Sequence, residues 1–214
     1  MPENKDSHEG PDLDAAYALK TPEDSVRLYR DWAASYDSDF ASSMDYRLPQ
    51  AVADAFAAAG GAGPVLDVGA GTGLLAEGLA RHGIGPVDAL DISAEMLETA
   101  RGKGFYRELM QADLTQGLSI ADDSYGGITS SGTFTHGHVG PEALDELMRI
   151  ARPGARFALS INAAVYREAG FAAKLDSLGG ALRDLRLEEV PIYGAAADPA
   201  HRGDTALVAL FVKA

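Results

Sequence analysis

The sequence predicts an α/β fold built on a doubly wound, mostly parallel sheet. Two observations lead to this prediction. Over most of the chain, short apolar runs alternate with helical patterns through short connections, which is typical of parallel strands covered by helices on both faces. The last two apolar runs have no helical pattern between them, which favours an antiparallel pair at one edge.

The predicted elements follow in a regular order. Apolar runs predict strands at 65–69, 86–91, 106–111, about 126–131, 156–161, Leu185–Val190 and Ala206–Val212. Helices are expected at 73–82, 94–101 and 141–151, the last closed by Arg152-Pro153-Gly154. Ahead of the sheet, one helix is expected at Leu48–Ala59, and another begins at Thr21, where Thr caps and Pro22 takes the first turn.

The turn after the first strand is the most informative local feature. Val65–Gly73 reads VLDVGAGTG, with glycines at 69, 71 and 73. Such a turn brings bare backbone N–H groups to a ligand at a helix start, although a purely structural turn can have the same composition. A dinucleotide fingerprint needs its third glycine three positions after the second, and here it follows after two. This spacing, with Asp67 inside the strand, favours a nucleoside that carries an amino acid.

Asp91 closes the second apolar run and lies 22 residues beyond Gly69. A carboxylate about 20 residues after the glycine turn commonly holds ribose hydroxyls, and it can accept both of them. The alternative is that Asp91 caps the helix that begins near Ser93. Because Ser93 can supply that cap itself, we expect Asp91 to be available to a ligand.

With these features the chain resembles the class I S-adenosylmethionine-dependent methyltransferases over residues 25–214. VLDVGAGTG, LDIS with Met96 and QAD at Gln111–Asp113 look like the first three family motifs, and Ser130–Gly154 looks like the fourth strand with its helix and turn. GTFTHGHV and WAASYD are similar to the Williams–Beuren-region methyltransferase-like group. The resemblance implies a Rossmann-like fold with seven strands, the last inserted antiparallel. It also implies methyl transfer from S-adenosylmethionine, leaving S-adenosylhomocysteine, to a small-molecule acceptor by in-line displacement.

The resemblance further implies which residues hold the donor. Asp113 would accept from the adenine amino group, and Tyr36 would donate to the methionine carboxylate. Independently of the resemblance, an unpaired charge inside an apolar strand is costly, so Asp67 is expected to pair with loop N–H groups and, through them or water, with the donor's ammonium group. The expected cofactor-binding set is Tyr36, Asp67, Gly69, Ala70, Gly71, Gly73, Asp91, Ile92, Met96, Ala112, Asp113 and Ser131. Asp113 could instead be a surface aspartate, and the role of Asp67 could be wholly structural. One departure is Gly126-Gly127 after Tyr125, where the family often has an acidic residue.

Two histidines are the candidate catalytic residues. His136 and His138 follow the fourth strand, where acceptor and methyl group would meet. One of them could act as general base for a protonated acceptor, and we favour His136 because it lies nearer the strand end. The alternative is that one histidine packs beneath the loop. No metal is expected, since the spacing suggests no third ligand. Tyr166 and Tyr193 are available to line the acceptor pocket.

Two other functions are compatible with the sequence. A non-catalytic cofactor-binding partner protein would keep Asp91 and Asp113 but would have a closed acceptor pocket. An NAD(P)-dependent oxidoreductase is disfavoured by the glycine spacing and by the absence of a Tyr-x-x-x-Lys pair.

Composition limits the partners and the compartment. The net charge of −14 disfavours a nucleic-acid substrate, and the absence of cysteine excludes disulfides and thiolate metal sites. The first residues are polar, and Ala206–Val212 is too short to span a bilayer. We therefore expect a cytoplasmic monomer or weak dimer without a membrane partner. We divide the chain into a disordered acidic tail (1–14), an N-terminal helical lid (15–60) and an S-adenosylmethionine-binding methyltransferase domain (61–214).

Overall fold

The fold is known from a computed structural model that describes residues 24, 27, 28, 30, 32, 33, 35–135 and 139–214. In these residues seven strands form one sheet in the order β3-β2-β1-β4-β5-β7-β6. The strands are β1 (Val65–Val68), β2 (Val87–Asp91), β3 (Glu108–Gln111), β4 (Tyr125–Phe134), β5 (Ala151–Asn162), β6 (Leu182–Pro191) and β7 (Thr205–Lys213). β1 to β5 are parallel, and β7 lies antiparallel between β5 and β6. The predicted Rossmann-like, doubly wound sheet is confirmed.

Helices cover both faces of this sheet. They are α1 (Leu48–Ala58), α2 (Leu74–Arg81), α3 (Ala94–Lys103), α4 (Ala143–Ile150) and α5 (Phe171–Leu178), with a π-helical turn at Tyr36–Ala41 and 3-10 turns at Leu114–Gln116 and Gly179–Ala181. α1 and α2 bury Phe56 and Leu79 against one face, and α4 and α5 bury Leu144 and Phe171 against the other. The tail expected at 1–14 and the helix start expected at Thr21 lie outside the described residues.

Two strands differ in length from the prediction. β5 begins at Ala151, so the segment Arg152-Pro153-Gly154 lies within the strand and is not a separate turn; Ala151 pairs with Tyr125 across a register shift. β4 is longer than predicted and continues to Phe134. A second irregularity in its pairing with β5 lies between Ser130 and Phe134, where Gly132 has a φ of 81°. A glycine with positive φ accommodates such a bulge, and bulges redirect side chains near functional sites.

The glycine pair at the start of β4 has a packing reason. A Cβ atom on Gly127 would lie 2.5 Å from the ring of Phe56 on α1, so a larger residue would push this buried helix away from the sheet. Tyr125 begins the strand and donates its hydroxyl to Asp88 of β2 over 2.9 Å. The departure from the family pattern therefore allows close packing of α1 and leaves the strand intact.

No helix in the described part of the chain combines the length and the apolar character needed to cross a membrane.

Candidate active site

A large cavity opens at the carboxyl ends of the parallel strands. Its walls include Asp67 in β1 and Gly69 just after it, Asp91 at the end of β2, Ser131 on β4 and Asn162 at the end of β5. The strand order reverses between β1 and β4, and in open α/β sheets ligands bind at this switch point.

The cavity collects most of the residues predicted to hold the donor. Those that line it are Tyr36, Asp67, Gly69, Ala70, Gly71, Asp91, Ile92, Met96, Ala112, Asp113 and Ser131. Gly73 is not among the lining residues: it precedes α2 with a φ of 89°, and a Cβ atom there would lie 3.0 Å from the ring of Tyr106. His136 and His138 lie outside the described residues, while their neighbours Thr135 and Val139 line the cavity.

The glycine turn presents bare backbone to the cavity. Gly69 has a φ of 67°, and a Cβ atom on it would lie 1.9 Å from the hydroxyl of Thr133, which donates to the carbonyl of Val68 over 2.9 Å. This residue must be glycine for the turn to pack on β4. Gly71 has a φ of 54° and no neighbour within 4 Å of its Cβ position. Space therefore remains beside Gly71 for a ligand.

Asp67 is a buried acid with one partner. Only 1% of the residue is exposed, and its Oδ2 accepts a hydrogen bond of 2.6 Å from the hydroxyl of Tyr106. Its Oδ1 has no hydrogen-bond partner among the described residues. Burial, with the nearby charge of Asp91, raises the pKa of Asp67 to about 7 although Tyr106 opposes the shift. The loop N–H partners expected from the sequence are wrong; the partner is Tyr106, which precedes β3 and reaches across β2.

Asp91 ties the glycine turn to the second strand. Its Oδ2 accepts from the backbone N–H of Gly71 and its Oδ1 from that of Ser93, both over 2.8 Å. Ser93 caps α3 as predicted, since its hydroxyl accepts from the N–H of Met96. The backbone N–H of Ile92 also faces this carboxylate, and because a carboxylate has about four lone-pair sites, Asp91 keeps capacity for at least one further hydrogen bond. Burial raises the pKa of Asp91 against the effect of these backbone bonds.

Asp113 combines a structural contact with a place in the cavity wall. Its Oδ1 accepts from the backbone N–H and the hydroxyl of Thr115, over 2.8 and 2.7 Å, and so caps the 3-10 turn that follows β3. These contacts fix the direction of the carboxylate at the edge of the cavity.

Residues 36–47 form a roof over the cavity that is anchored at both ends. At one end Asp37 accepts a hydrogen bond of 2.5 Å from the hydroxyl of Thr72 in the glycine turn and pairs with Lys103 of α3. At the other end the N–H of Arg47 donates to Ile192, and that of Gly194 donates to Asp45, over 2.9 and 2.8 Å. The roof therefore spans from the glycine turn to the loop between β6 and β7.

The strand order divides the cavity into two parts. We name as donor half the part at the ends of β1, β2 and β3, which contains Asp67, Asp91 and Asp113. The acceptor half is the part at the ends of β4 and β5, with lining residues Phe40, Tyr46, Leu48, Ser131, Gly132, Phe134, Val139, Ser160, Asn162, Ile192, Tyr193 and Ala206. Sequence reasoning proposed Tyr193 for this region but missed Tyr46, because no motif surrounds it. Tyr166, also proposed, packs in the core with α4 and α5.

The sheet order, the glycine turn and the acids that follow β2 and β3 define the fold of a class I methyltransferase. Residues 66–159 match the family of methyltransferase domains. The chain is 31% identical over 145 residues to Methyltransferase-like protein 27 of Homo sapiens, a match that covers 65% of this chain and 58% of that protein. It is 32% identical over 144 residues to Demethylmenaquinone methyltransferase of Renibacterium salmoninarum, with 66% and 60% covered. The matched part thus spans about three fifths of each curated relative.

A solved structure shares the fold. The SAM-dependent methyltransferase from Aquifex aeolicus superimposes with a TM-score of 0.56 at 20% identity, covering 86% of this chain and 98% of that one. Residues 66–159 thus match a methyltransferase domain, the chain is similar to curated methyltransferases, and it shares the Rossmann-like fold of the solved enzyme.

Proposed function

We propose that this chain binds S-adenosylmethionine in the donor half of the cavity and transfers its methyl group to a small molecule in the acceptor half. The observation that carries this proposal is the set of incomplete contacts in the donor half. An acceptor atom of Asp67 has no partner in the described structure, and Gly71 has open space beside it. Asp91, which backbone N–H groups already contact, keeps lone-pair capacity for a ligand.

The residues present fit this donor. The remaining lone-pair capacity of Asp91 suits a ribose hydroxyl. Ala112 and Asp113 suit an adenine ring and its amino group, and Asp67 suits a cationic ammonium group. When bound, the donor supplies a methyl group already activated on a sulfonium sulfur. The chain then needs to hold both reactants in line and to exclude water, which the roof above the cavity favours.

The continuity of the two halves supports an enzyme over a non-catalytic binding protein. A binding protein without an acceptor would have a closed acceptor half, whereas here one cavity reaches from Asp113 to Tyr193. Three acids in the donor half also disfavour the anionic pyrophosphate of a dinucleotide, which supports the methyl donor over NAD. Two curated relatives carry the name Demethylmenaquinone methyltransferase, which supports a small-molecule acceptor for this chain.

Replacement of Asp91 by alanine is expected to weaken S-adenosylhomocysteine binding roughly 10- to 100-fold, the effect of losing hydrogen bonds to a charged group. Isothermal calorimetry on the wild type and the variant measures this change. Asp176→Ala on α5, an exposed acid outside the cavity, is the matched control and should bind as the wild type does. Equal affinity in Asp91→Ala, or tighter binding of NAD than of S-adenosylhomocysteine by the wild type, would contradict the assignment.

We also propose that the roof acts as the lid of the site. Its contacts with the glycine turn run through one acid, Asp37, so a ligand that orders the turn should also order the roof. Hydrogen exchange at residues 36–47 is expected to slow when S-adenosylhomocysteine is added, and Asp37→Asn should speed exchange there in the free protein. Exchange in β7 serves as internal control. Identical protection of the roof with and without saturating ligand would exclude a lid.

His136 and His138 remain our candidates for the general base, because Thr135 and Val139 on either side of them line the acceptor half. For an acceptor that arrives protonated, the rate should rise with pH through one ionisation near neutrality. His136→Asn is expected to flatten that rise and lower turnover more than His138→Asn. A pH–rate profile of both variants and the double variant checks this. Wild-type activity with an unchanged profile in the double variant would remove the histidines from the mechanism.

A further inference from the structure

The acceptor half differs from the donor half in charge. Among the described lining residues of the whole cavity, the charged side chains are Asp67, Asp91 and Asp113, and all three belong to the donor half. An acceptor with a carboxylate, phosphate or ammonium group would therefore lose its hydration in the acceptor half without gaining a described counter-charge, which is costly. The described lining thus favours an uncharged acceptor.

The wall of the acceptor half on the roof side is aromatic. The ring centroids of Tyr46 and Tyr193 lie 5.7 Å apart with a tilt of 38°, and Phe40 meets Tyr193 edge-on at 6.2 Å. A backbone bridge between Tyr46 and Tyr193 holds the two rings in place. Because aromatic faces and edges attract flat rings more than aliphatic chains of equal area, this wall favours a planar aromatic ligand.

A hydroxyl group projects from this wall toward the bulge of β4. A Cβ atom on Gly132 would lie 2.8 Å from the hydroxyl oxygen of Tyr46, so the missing side chain of Gly132 makes room for that group. Ser131, the neighbouring residue, lines the cavity and has a buried hydroxyl. Burial raises the pKa of Tyr46 to about 12 although a hydrogen bond from the hydroxyl of Ser131 opposes the shift. The phenol therefore stays protonated at neutral pH, and with Ser131 as donor to its oxygen it can still donate its own proton to a ligand.

We propose that the acceptor is an uncharged phenol whose ring packs against Tyr46 and Tyr193 and whose oxygen accepts a hydrogen bond from Tyr46. This inference rests on the proposed function and specifies its substrate class. In the transfer, a bond forms between the phenol oxygen and the methyl carbon as the sulfur–methyl bond breaks. The bonding pair stays on sulfur and neutralises it, and the phenol proton leaves to the general base or to water. Tyr46 is then a specificity-determining residue, because its hydroxyl orients the phenol oxygen and stabilises the negative charge left on it when the proton departs.

Three probes with one ring system test the charge preference. They are 2-naphthol, 2-naphthoate and 2-naphthylmethylammonium, whose affinities for the full chain are measured by ligand-observed NMR at pH 7, with and without S-adenosylhomocysteine. We expect 2-naphthol to bind at least 10-fold more tightly than either charged probe. Tightest binding by a charged probe, or no binding of 2-naphthol at millimolar concentration, would overturn the proposal.

Variants distinguish the contribution of the Tyr46 hydroxyl to acceptor binding from that of its ring. Tyr46→Phe should weaken the binding of 2-naphthol about 10-fold, while naphthalene itself binds as before. Tyr193→Ala should weaken the binding of both compounds. Tyr166→Phe is the matched control, because that tyrosine is buried in the core outside the cavity lining, and it should change neither. Equal 2-naphthol affinity in Tyr46→Phe and the wild type would overturn the role of Tyr46.

Calorimetry of S-adenosylhomocysteine on the same proteins distinguishes this proposal from the proposed function. Suppose that Tyr46→Phe binds S-adenosylhomocysteine within twofold of the wild type but the naphthol predictions fail. This result would overturn the proposal of a phenol acceptor and leave the methyltransferase assignment standing. Binding of 2-naphthol as predicted by a chain that does not bind S-adenosylhomocysteine would support the phenol site and overturn the donor assignment.

Discussion

The buried carboxylate of Asp67 is the constraint on which the cavity depends. It lies inside β1, beneath the glycine turn, with 1% of the residue exposed and Tyr106 as the partner of one oxygen. An acid in this position costs free energy when it ionises, which is why its pKa lies near 7. The turn above it, held by Asp91, leaves room beside Gly71. A cation in that space would supply a partner for the oxygen that has none among the described residues and would lower the cost of ionisation, which supports the proposed donor.

The roof joins this donor half to the rest of the molecule. Asp37 connects it to Thr72 and Lys103, and Arg47 connects it to the loop after β6. The N-terminal segment thereby contacts parts of the sheet that are distant in sequence, and it contributes Tyr36 to the donor half and Tyr46 to the acceptor half. Both reactants would thus meet under one segment, which is a direct way to exclude water from a transfer reaction.

The strands, the glycine turn and the acids after β2 and β3 could be predicted because each depends on local sequence: apolar runs, glycine spacing and acids at strand ends. The partner of Asp67 could not, since Tyr106 reaches it across β2 and no local pattern records that contact. Tyr46 was missed for a similar reason, because its place depends on a backbone bridge to Tyr193. The early start of β5 at Ala151 was missed because Pro153 and Gly154 resemble a turn, while pairing with Tyr125 extends the strand.

The most direct test of the central claim is the proton balance of donor binding. A cationic group beside Asp67 lowers its pKa from about 7, so the wild type should release part of a proton from this carboxyl when S-adenosylmethionine binds at pH 7, and none from it at pH 9, where the group is already ionised. Calorimetry in two buffers of different ionisation enthalpy gives the number of protons released. The account predicts that Asp67→Asn, which cannot ionise, releases fewer protons than the wild type at pH 7. Equal proton release by the two proteins at pH 7 would contradict it.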